Sequence, residues 1–564
     1  MAKQQHWIGE GKVKIGQFRA WWERVVPFRV DVPWIDQLIL CSMALVTITG
    51  MVIWLSQHGL PPHWDQANHL VNSLRYTDMV DAAFHADSVR GFVREWYYFF
   101  IKANFYYPPF AYWLTVPFVL LFGRGEVVPI MVNSIYAFVL VWSAYSVGRN
   151  LWNRTTGLLL AAVLLFSPFA TAQFHEFQLD LPLLTVTTLV FALLLKSNFG
   201  MQRTWSFWLG AALGVGMLTK WTIAAFLVVP MGVWAIACVV RAWQGSKEGR
   251  RERFVQLLWG VGWFALGLGI TAGPWYITHL AVIRAGGAHN ATVGLLEGDP
   301  LVGTVLSWRY YYDALLSHHL RLPLVILSTI GLVWSLVNKK ALLRNGLFIL
   351  YIIGAYLLLT QYQNKDFRYI QPIIIGFSLL SVFWISLLPR ILKYIGAGVV
   401  VALCIFQFLT INWGSVLFPK MAAEYSVSIP DPLSGSTSVT VYRLSGYIIG
   451  SPARQDWYQE TIVSKLFPEG TQAATDVAPR IAMYYVDAPR FNKENLGYAF
   501  MQQRLRVGIL PFPPVADLCT SAEYLLTTSD VPQHAALNLT CETEQVLQET
   551  LPNGVEIRLS RILP

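Results

Sequence analysis

Apolar stretches long enough to cross a bilayer recur along most of the chain, separated by short polar connections, until the pattern changes near residue 412. A crossing helix needs roughly 20 mostly apolar residues. Such windows occupy residues 36–57, 127–147, 157–174, 181–197, 205–219, 222–240, 255–277, 321–337, 346–362, 371–388 and 393–411, which predicts about eleven transmembrane helices. Residues 107–122 are also apolar, but they open with Pro108 and Pro109 and are short. A helix lying along or dipping into the membrane face is expected there. After residue 412 polar residues return, and residues 438–444, 522–527 and 555–559 read as strands, while residues 455–467 have helical spacing with Trp457, Ile462 and Leu466 on one face. The expected fold class is therefore a polytopic α-helical membrane protein with a C-terminal α/β soluble domain. Its parts are a leading segment 1–35, a membrane domain 36–411 and a soluble domain 412–564.

Composition supports this reading. Of 564 residues 55% are hydrophobic and 13% charged, about half the usual ~25% charged fraction of globular proteins. An ordinary water-soluble enzyme is excluded, and five Cys in so long a chain exclude a disulfide scaffold. The formal charge of +9 is accounted for by sidedness rather than by nucleic acid, because basic residues collect in cytoplasmic connections. With the N-terminus cytoplasmic, alternate connections carry Arg19, Arg24 and Arg29, then Arg149 and Arg154, Lys196 and Arg203, Lys247 to Arg253, Lys339 to Arg344, and Arg390 with Lys393. Asp65, Asp78, Glu95, Glu176, Asp180, Glu297 and Asp313 fall on the opposite side. The leading segment, with Trp21 and Trp22, does not have the form of a cleavable signal peptide. The soluble domain falls on the acidic side, where Cys519 and Cys541 fit a bond and two free thiols equally well.

Ionisable groups at the edge of a membrane bundle cost free energy unless they face water, a partner or a substrate. Four clusters meet this test, all on the acidic side. His63, Trp64, Asp65 and His69 follow the first window, after Pro61 and Pro62; Asp65 suits a general base, and equally a helix cap. His175, Glu176 and Asp180 are wedged between two apolar runs, with Pro182 placed so that Asp180 also suits a cap. Lys365, Arg368 and Tyr369 come together where cations are unexpected; they suit a phosphate, or snorkelling to headgroups. Lys220 follows Thr219 where two short windows must turn, and either faces a lipid phosphate or marks the turn. Residues 278–320 read as a partly amphipathic loop covering the site. Asn290 and Asn538 head glycan-acceptor triplets, a weak signal. The histidines and acids have no fixed metal-ligand spacing, so a divalent metal is a minor alternative. Phosphate-cradling Gly loops and serine elbows are missing.

Taken in order, Trp64-Asp65, the run from Tyr107-Pro108-Pro109 to Tyr112-Trp113-Leu114, Leu179-Asp180-Leu181-Pro182, Leu218-Thr219-Lys220, Pro274-Trp275-Tyr276, and Lys365 with Arg368-Tyr369 and Pro372 resemble the GT-C membrane glycosyltransferases. The similarity is to the protein O-mannosyltransferase and aminoarabinose transferase group (glycosyltransferase family 39-like), and it covers the first ten windows. It implies a polyprenyl-phosphate sugar donor, Asp65 as catalytic carboxylate, Asp180 as a second-loop acid, Lys365 and Arg368 facing the phosphate, and a substrate-side position for Tyr107. Gln66 stands where a Glu is common, and Tyr106 and Tyr107 stand where aminoarabinose transferases have Glu and Lys, which weakens any claim to an aminoarabinose donor or lipid A acceptor. The expected activity is single-displacement transfer of a sugar from undecaprenyl- or dolichyl-phosphate to an acceptor hydroxyl at the extracytoplasmic face of a plasma membrane. No cofactor is needed, the partners are the lipid-linked donor, membrane lipids and a protein, lipid or polysaccharide acceptor, and no nucleic acid is involved. Rival classes are a transporter or flippase of a lipid-linked sugar, and a metal-dependent oligosaccharyltransferase-like or pyrophosphate-donor enzyme.

Overall fold

The computed structural model describes residues 32–103, 107–198, 200–243, 247–431, 435–446, 450–467, 478–484, 486, 488–511, 518–528 and 541–563. Arg19, Trp21, Trp22, Arg24, Arg29, Tyr106 and the Asn538 triplet lie outside these residues. Among the described residues seven helices are long and apolar enough to cross a membrane: Trp34–Gln57, Val127–Leu151, Ile223–Val240, Arg250–Leu296, Lys339–Leu359, Phe367–Leu387 and Arg390–Leu417. An eighth exists if Val305–His319 and Arg321–Val337, bent by 113°, form one span.

The expected count of about eleven includes windows that fold as shorter pieces. The 157–174 window splits into Arg154–Leu165 and Pro168–Gln173, since Pro168 cannot donate the backbone bond that would continue the helix. Asp180–Lys196 and Arg203–Thr219 have 17 residues each, about 25 Å of helix at ~1.5 Å per residue and the lower limit for a crossing. Asp180–Lys196 is buried along nearly its whole length, so protein rather than lipid surrounds it. Arg203–Thr219 packs closely on the long Lys247–Leu296 helix through small residues: a Cβ on Gly210 would come within 2.0 Å of the Phe264 carbonyl oxygen, and one on Gly267 within 2.2 Å of that of Phe207. Glycine lets the two backbones touch, as membrane helices commonly do.

Two segments bear on the site. Phe110–Phe122 is a helix of 13 residues, roughly 20 Å long and so shorter than a ~30 Å hydrocarbon core. The covering loop expected over residues 278–320 is helical over 278–296 and again over 305–319. Lys247–Leu296 is a single helix of 50 residues with Pro274 inside it, about 75 Å long, and no stop signal strong enough to end it occurs before Gly298, whose φ is +80°. The triplet at Asn290 is therefore helical.

The Arg390–Leu417 helix is kinked at Trp413. Beyond it β1 (Glu424–Asp431) and β2 (Gly435–Arg443) form an antiparallel pair. A second sheet has the order β4-β3-β5-β7-β6, from β3 (Arg480–Tyr484), β4 (Gly508–Pro511), β5 (Tyr524–Thr528), β6 (Thr543–Thr550) and β7 (Glu556–Ile562). β3 lies parallel to β4 and β5, while β7 runs antiparallel to β5 and β6. Trp457, Ile462 and Leu466 pack with Ile481, Phe500 and Leu559 in a core of their own, and Cys519 and Cys541 are bonded with Cα atoms 5.8 Å apart. The Lys493–Gln502 helix packs on Trp64–Phe84, and its Tyr498 enters the apolar core of the membrane domain.

Candidate active site

Pro61 and Pro62 separate the first membrane helix from Trp64–Phe84, which places Asp65 in a first helical turn. Neither Asp65 nor Asp180 caps its helix by a side-chain hydrogen bond. Instead the Asp65 carboxylate accepts from Arg368 Nη2 at 2.7 Å. Arg368 sits at the start of a 3-10 turn, Phe367–Ile373, nucleated by Asp366, whose carboxylate accepts from the Arg368 backbone N–H and from Nε, each at 2.8 Å. The guanidinium is thus bracketed by two carboxylates, and its side chain is 15% exposed against 44% for Asp65. Burial raises the affinity of Asp65 for a proton, but the adjacent Arg368 charge, helped by Lys220, more than offsets it and holds the carboxyl below the usual carboxylate range.

A second ion pair adjoins this one. Lys220, at the end of Arg203–Thr219, donates from Nζ to Asp180 Oδ1 at 2.7 Å, with both side chains buried. The same ammonium lies 4.8 Å from the centre of the Tyr369 ring, a cation–π contact. Lys220, Asp180, Tyr369, Arg368 and Asp65 therefore gather from four parts of the chain at one end of the bundle.

The remaining expected site residues are placed differently. Lys365 does not pair with a carboxylate through its side chain: Nζ donates to the carbonyls of Thr360, at 2.9 Å, and Tyr362, while its backbone N–H donates to Asp299 at 2.6 Å. Burial lowers its basicity, partly offset by Asp299. His69 Nδ1 and the Tyr112 hydroxyl share a hydrogen bond of 2.8 Å, and the Tyr107 ring meets the His69 ring edge-on at 4.9 Å. His175 stacks on Trp54 at 4.3 Å and bonds Asn412 through Nε2 at 2.8 Å. Burial pushes both imidazoles down to about 3, so both are neutral at ordinary pH. Glu176 is buried, accepting from Gln173 Nε2 at 3.4 Å through one oxygen, and the other has no hydrogen-bond partner among the described residues; burial lifts its carboxyl to about 8 in spite of Arg368 and Arg490. His63 Nε2 accepts from Arg490 Nη2 at 2.6 Å. The three histidines thus have separate partners, and no group of three or more His, Cys, Asp or Glu is arranged for a metal ion among the described residues.

Two close neighbours of these residues are not evident from sequence reasoning. Asp366 lies inside a recognised cluster, and its position two residues before Arg368 is the local signal that it would hold that side chain. Arg490 has no such signal. It is 427 residues from His63, and only the docking of the soluble domain brings it there.

Residues 107–249, which include Asp180 and Lys220, match the family model described as dolichyl-phosphate-mannose-protein mannosyltransferase. A comparison with functionally curated proteins gives no match. Among solved structures, ArnT from Cupriavidus metallidurans bound to undecaprenyl phosphate is similar with a TM-score of 0.55 at 16% identity, over 94% of this chain and 98% of that one. The apo form of the same protein gives a TM-score of 0.51 at 15% identity, over 93% and 97%. With that fold along nearly its whole length, the chain is a multi-pass membrane protein of the GT-C glycosyltransferase fold, the group that its motifs resemble.

Proposed function

We propose that this protein transfers a sugar from a polyprenyl-phosphate monosaccharide to an acceptor hydroxyl at the extracytoplasmic membrane face. In this reading the N-terminus is cytoplasmic, and residues 412–564 form an extracytoplasmic domain. The observation that carries it is the contact of Asp65 with Arg368, an ionised and partly exposed carboxylate beside a mostly buried guanidinium at the end of an apolar bundle. The family-model match and the fold shared with an undecaprenyl-phosphate-bound protein support the donor class.

The step balances without a covalent intermediate. The acceptor oxygen attacks the anomeric carbon as its proton passes to Asp65, and the bond from that carbon to the phosphate oxygen breaks with its electron pair leaving on the phosphate. Arg368 stabilises the growing negative charge, with Lys220 and Lys365 nearby as further cations. Because Arg368 is bonded to Asp65 before substrate arrives, the donor phosphate competes for the guanidinium. Its arrival frees the carboxylate and raises its basicity when a base is needed. One displacement inverts the anomeric centre. A phosphomonoester leaving group held by cations needs no divalent metal for this chemistry.

The test is sugar transfer from a panel of radiolabelled polyprenyl-phosphate monosaccharides by the full-length protein in nanodiscs, with and without chelator. Transfer that resists chelation and falls by about 10²–10⁴ in Asp65→Asn supports the reading. Donor turnover by a fully active Asp65→Asn removes Asp65 from the base role, and no turnover of any donor overturns the activity.

A further inference from the structure

A cavity of about 410 Å³ lies where the segment leading to Asp65 meets the soluble domain, with neither Asp65 nor Arg368 in its lining. Its size falls in the ~300–1,000 Å³ range of small-molecule sites, which favour such junctions. One wall is the Gly59 to Pro62 segment, so Asp65 begins three residues beyond it, within ~10 Å of chain. The soluble domain holds that wall firmly. Asn495 Nδ2 donates to the Pro62 carbonyl at 2.7 Å, Arg490 donates to the Pro61 carbonyl, and the Gly59 N–H donates to the Ala453 carbonyl at 2.9 Å.

The chemistry of the lining is one-sided. Glu126, Asp456 and Glu460 supply three carboxylates, and no Lys or Arg lines the cavity among the described residues. Trp457 and Asn495 also line it, and each buries a polar atom, Nε1 and Oδ1, without a hydrogen-bond partner among the described residues; the two residues are 7% and 2% exposed. Burial lifts the Glu126 carboxyl to about 7, against the pull of Arg490, so that near neutral pH it both donates and accepts. Carboxylates, amides and an indole suit a ligand with many hydroxyl groups, whereas a phosphate there meets like charge and no cation in the described lining.

We propose that this cavity receives the acceptor, and that its accepting end is a hydroxyl-rich group that is neutral or cationic rather than phosphorylated. The proposal rests on the transferase reading above and adds the acceptor class to it. It assigns binding, not catalysis, to Glu126, Asp456, Trp457, Glu460 and Asn495.

The experiment uses full-length protein in nanodiscs, the best polyprenyl-phosphate donor, and three acceptor probes: an alkyl hexoside, the matching alkyl hexosaminide and the alkyl hexoside 6-phosphate. Wild type is expected to show a KM about tenfold or more lower for the first two than for the phosphate. The double variant Asp456→Asn, Glu460→Gln, at exposed positions where Asn keeps an oxygen for the Tyr458 backbone N–H that Asp456 holds at 2.8 Å, should raise KM for the hexosaminide and lower it for the phosphate. Trp457→Phe, which removes only the indole donor with little loss of bulk, should raise KM for the hexoside. A wild type that prefers the phosphorylated probe, or charge removal that leaves all three KM values unmoved while donor is consumed, overturns the cavity assignment alone. If wild type breaks down no donor, the transferase reading fails and this proposal with it.

Discussion

Asp65 and Arg368, 303 residues apart in the chain, meet at 2.7 Å, and Asp366 holds the same guanidinium through Nε and the shared Nη2. In the proposed reaction this contact couples base and phosphate site: one cation sets the basicity of the carboxylate and is also the group that the leaving phosphate would need. Wild-type kcat/KM for the donor, which reports the free enzyme, should therefore persist on the acid side to pH values below the ordinary ~3.9 of an aspartate. In Arg368→Gln the burial of Asp65 acts with less opposition, so the acid limb of the kcat/KM profile should move upward, and kcat should fall about 10²–10³-fold with the lost charge stabilisation. Arg368→Lys should keep the limb near its wild-type position. An acid limb that stays in place in Arg368→Gln would separate the two residues.

Glu176 gives a stability prediction of opposite sign. Its carboxyl goes from an ordinary 4.5 to about 8 on burial, so the folded state keeps a proton that the unfolded state releases. The contribution of Glu176 is then fully present below pH ~4.5 and declines as pH rises to ~8. Glu176→Gln, a neutral isostere, escapes that decline. Its thermal midpoint should match wild type at pH 4.5, gain on it steadily up to pH 8 and level off above; a constant difference across that range would contradict the assignment.

The Asp180–Lys220 pair is buried on both sides, with side chains 2% and 8% exposed. Asp180→Ala strands a buried ammonium and should cost about 3–5 kcal/mol. The double variant Asp180→Leu, Lys220→Met leaves no unpaired charge and should recover most of that loss. Unfolding of the detergent-solubilised protein measures both, and a double variant no better than Asp180→Ala would show that the charges themselves are not what the fold depends on.

Cys519 and Cys541, 22 residues apart in sequence, close a loop whose restriction in the unfolded chain is worth about 3 kcal/mol. Cys519→Ser with Cys541→Ser should lower the stability of the soluble domain by that order and leave the membrane bundle unchanged, which limited proteolysis of the two parts can read separately. Loss of both parts together would mean that they unfold as one unit.

The membrane class, the apolar windows and the clusters around Asp65, Asp180, Lys220 and Arg368 are legible in the sequence because hydropathy and helix breakers act over a few residues. The same reasoning fails where a neighbour overrides a window. Residues 278–296 continue a helix expected to end at 277, and the 157–174 window breaks at Pro168 because an average over many residues hides one missing N–H. Lys365 and Arg368 are neighbours in sequence and read as partners, but the chain turns so that one meets carbonyls and the other carboxylates.

From its sequence alone this protein is a polytopic helical membrane chain with a soluble α/β end and ionisable groups gathered near one face, since burial of apolar length is a local property. Tertiary structure alone decides that Asp65 faces Arg368, that Asp180 faces Lys220, and that Arg490 of the soluble domain grips His63. Ion pairs and hydrogen bonds act over a few ångströms in space, and separation along the chain carries no record of that distance.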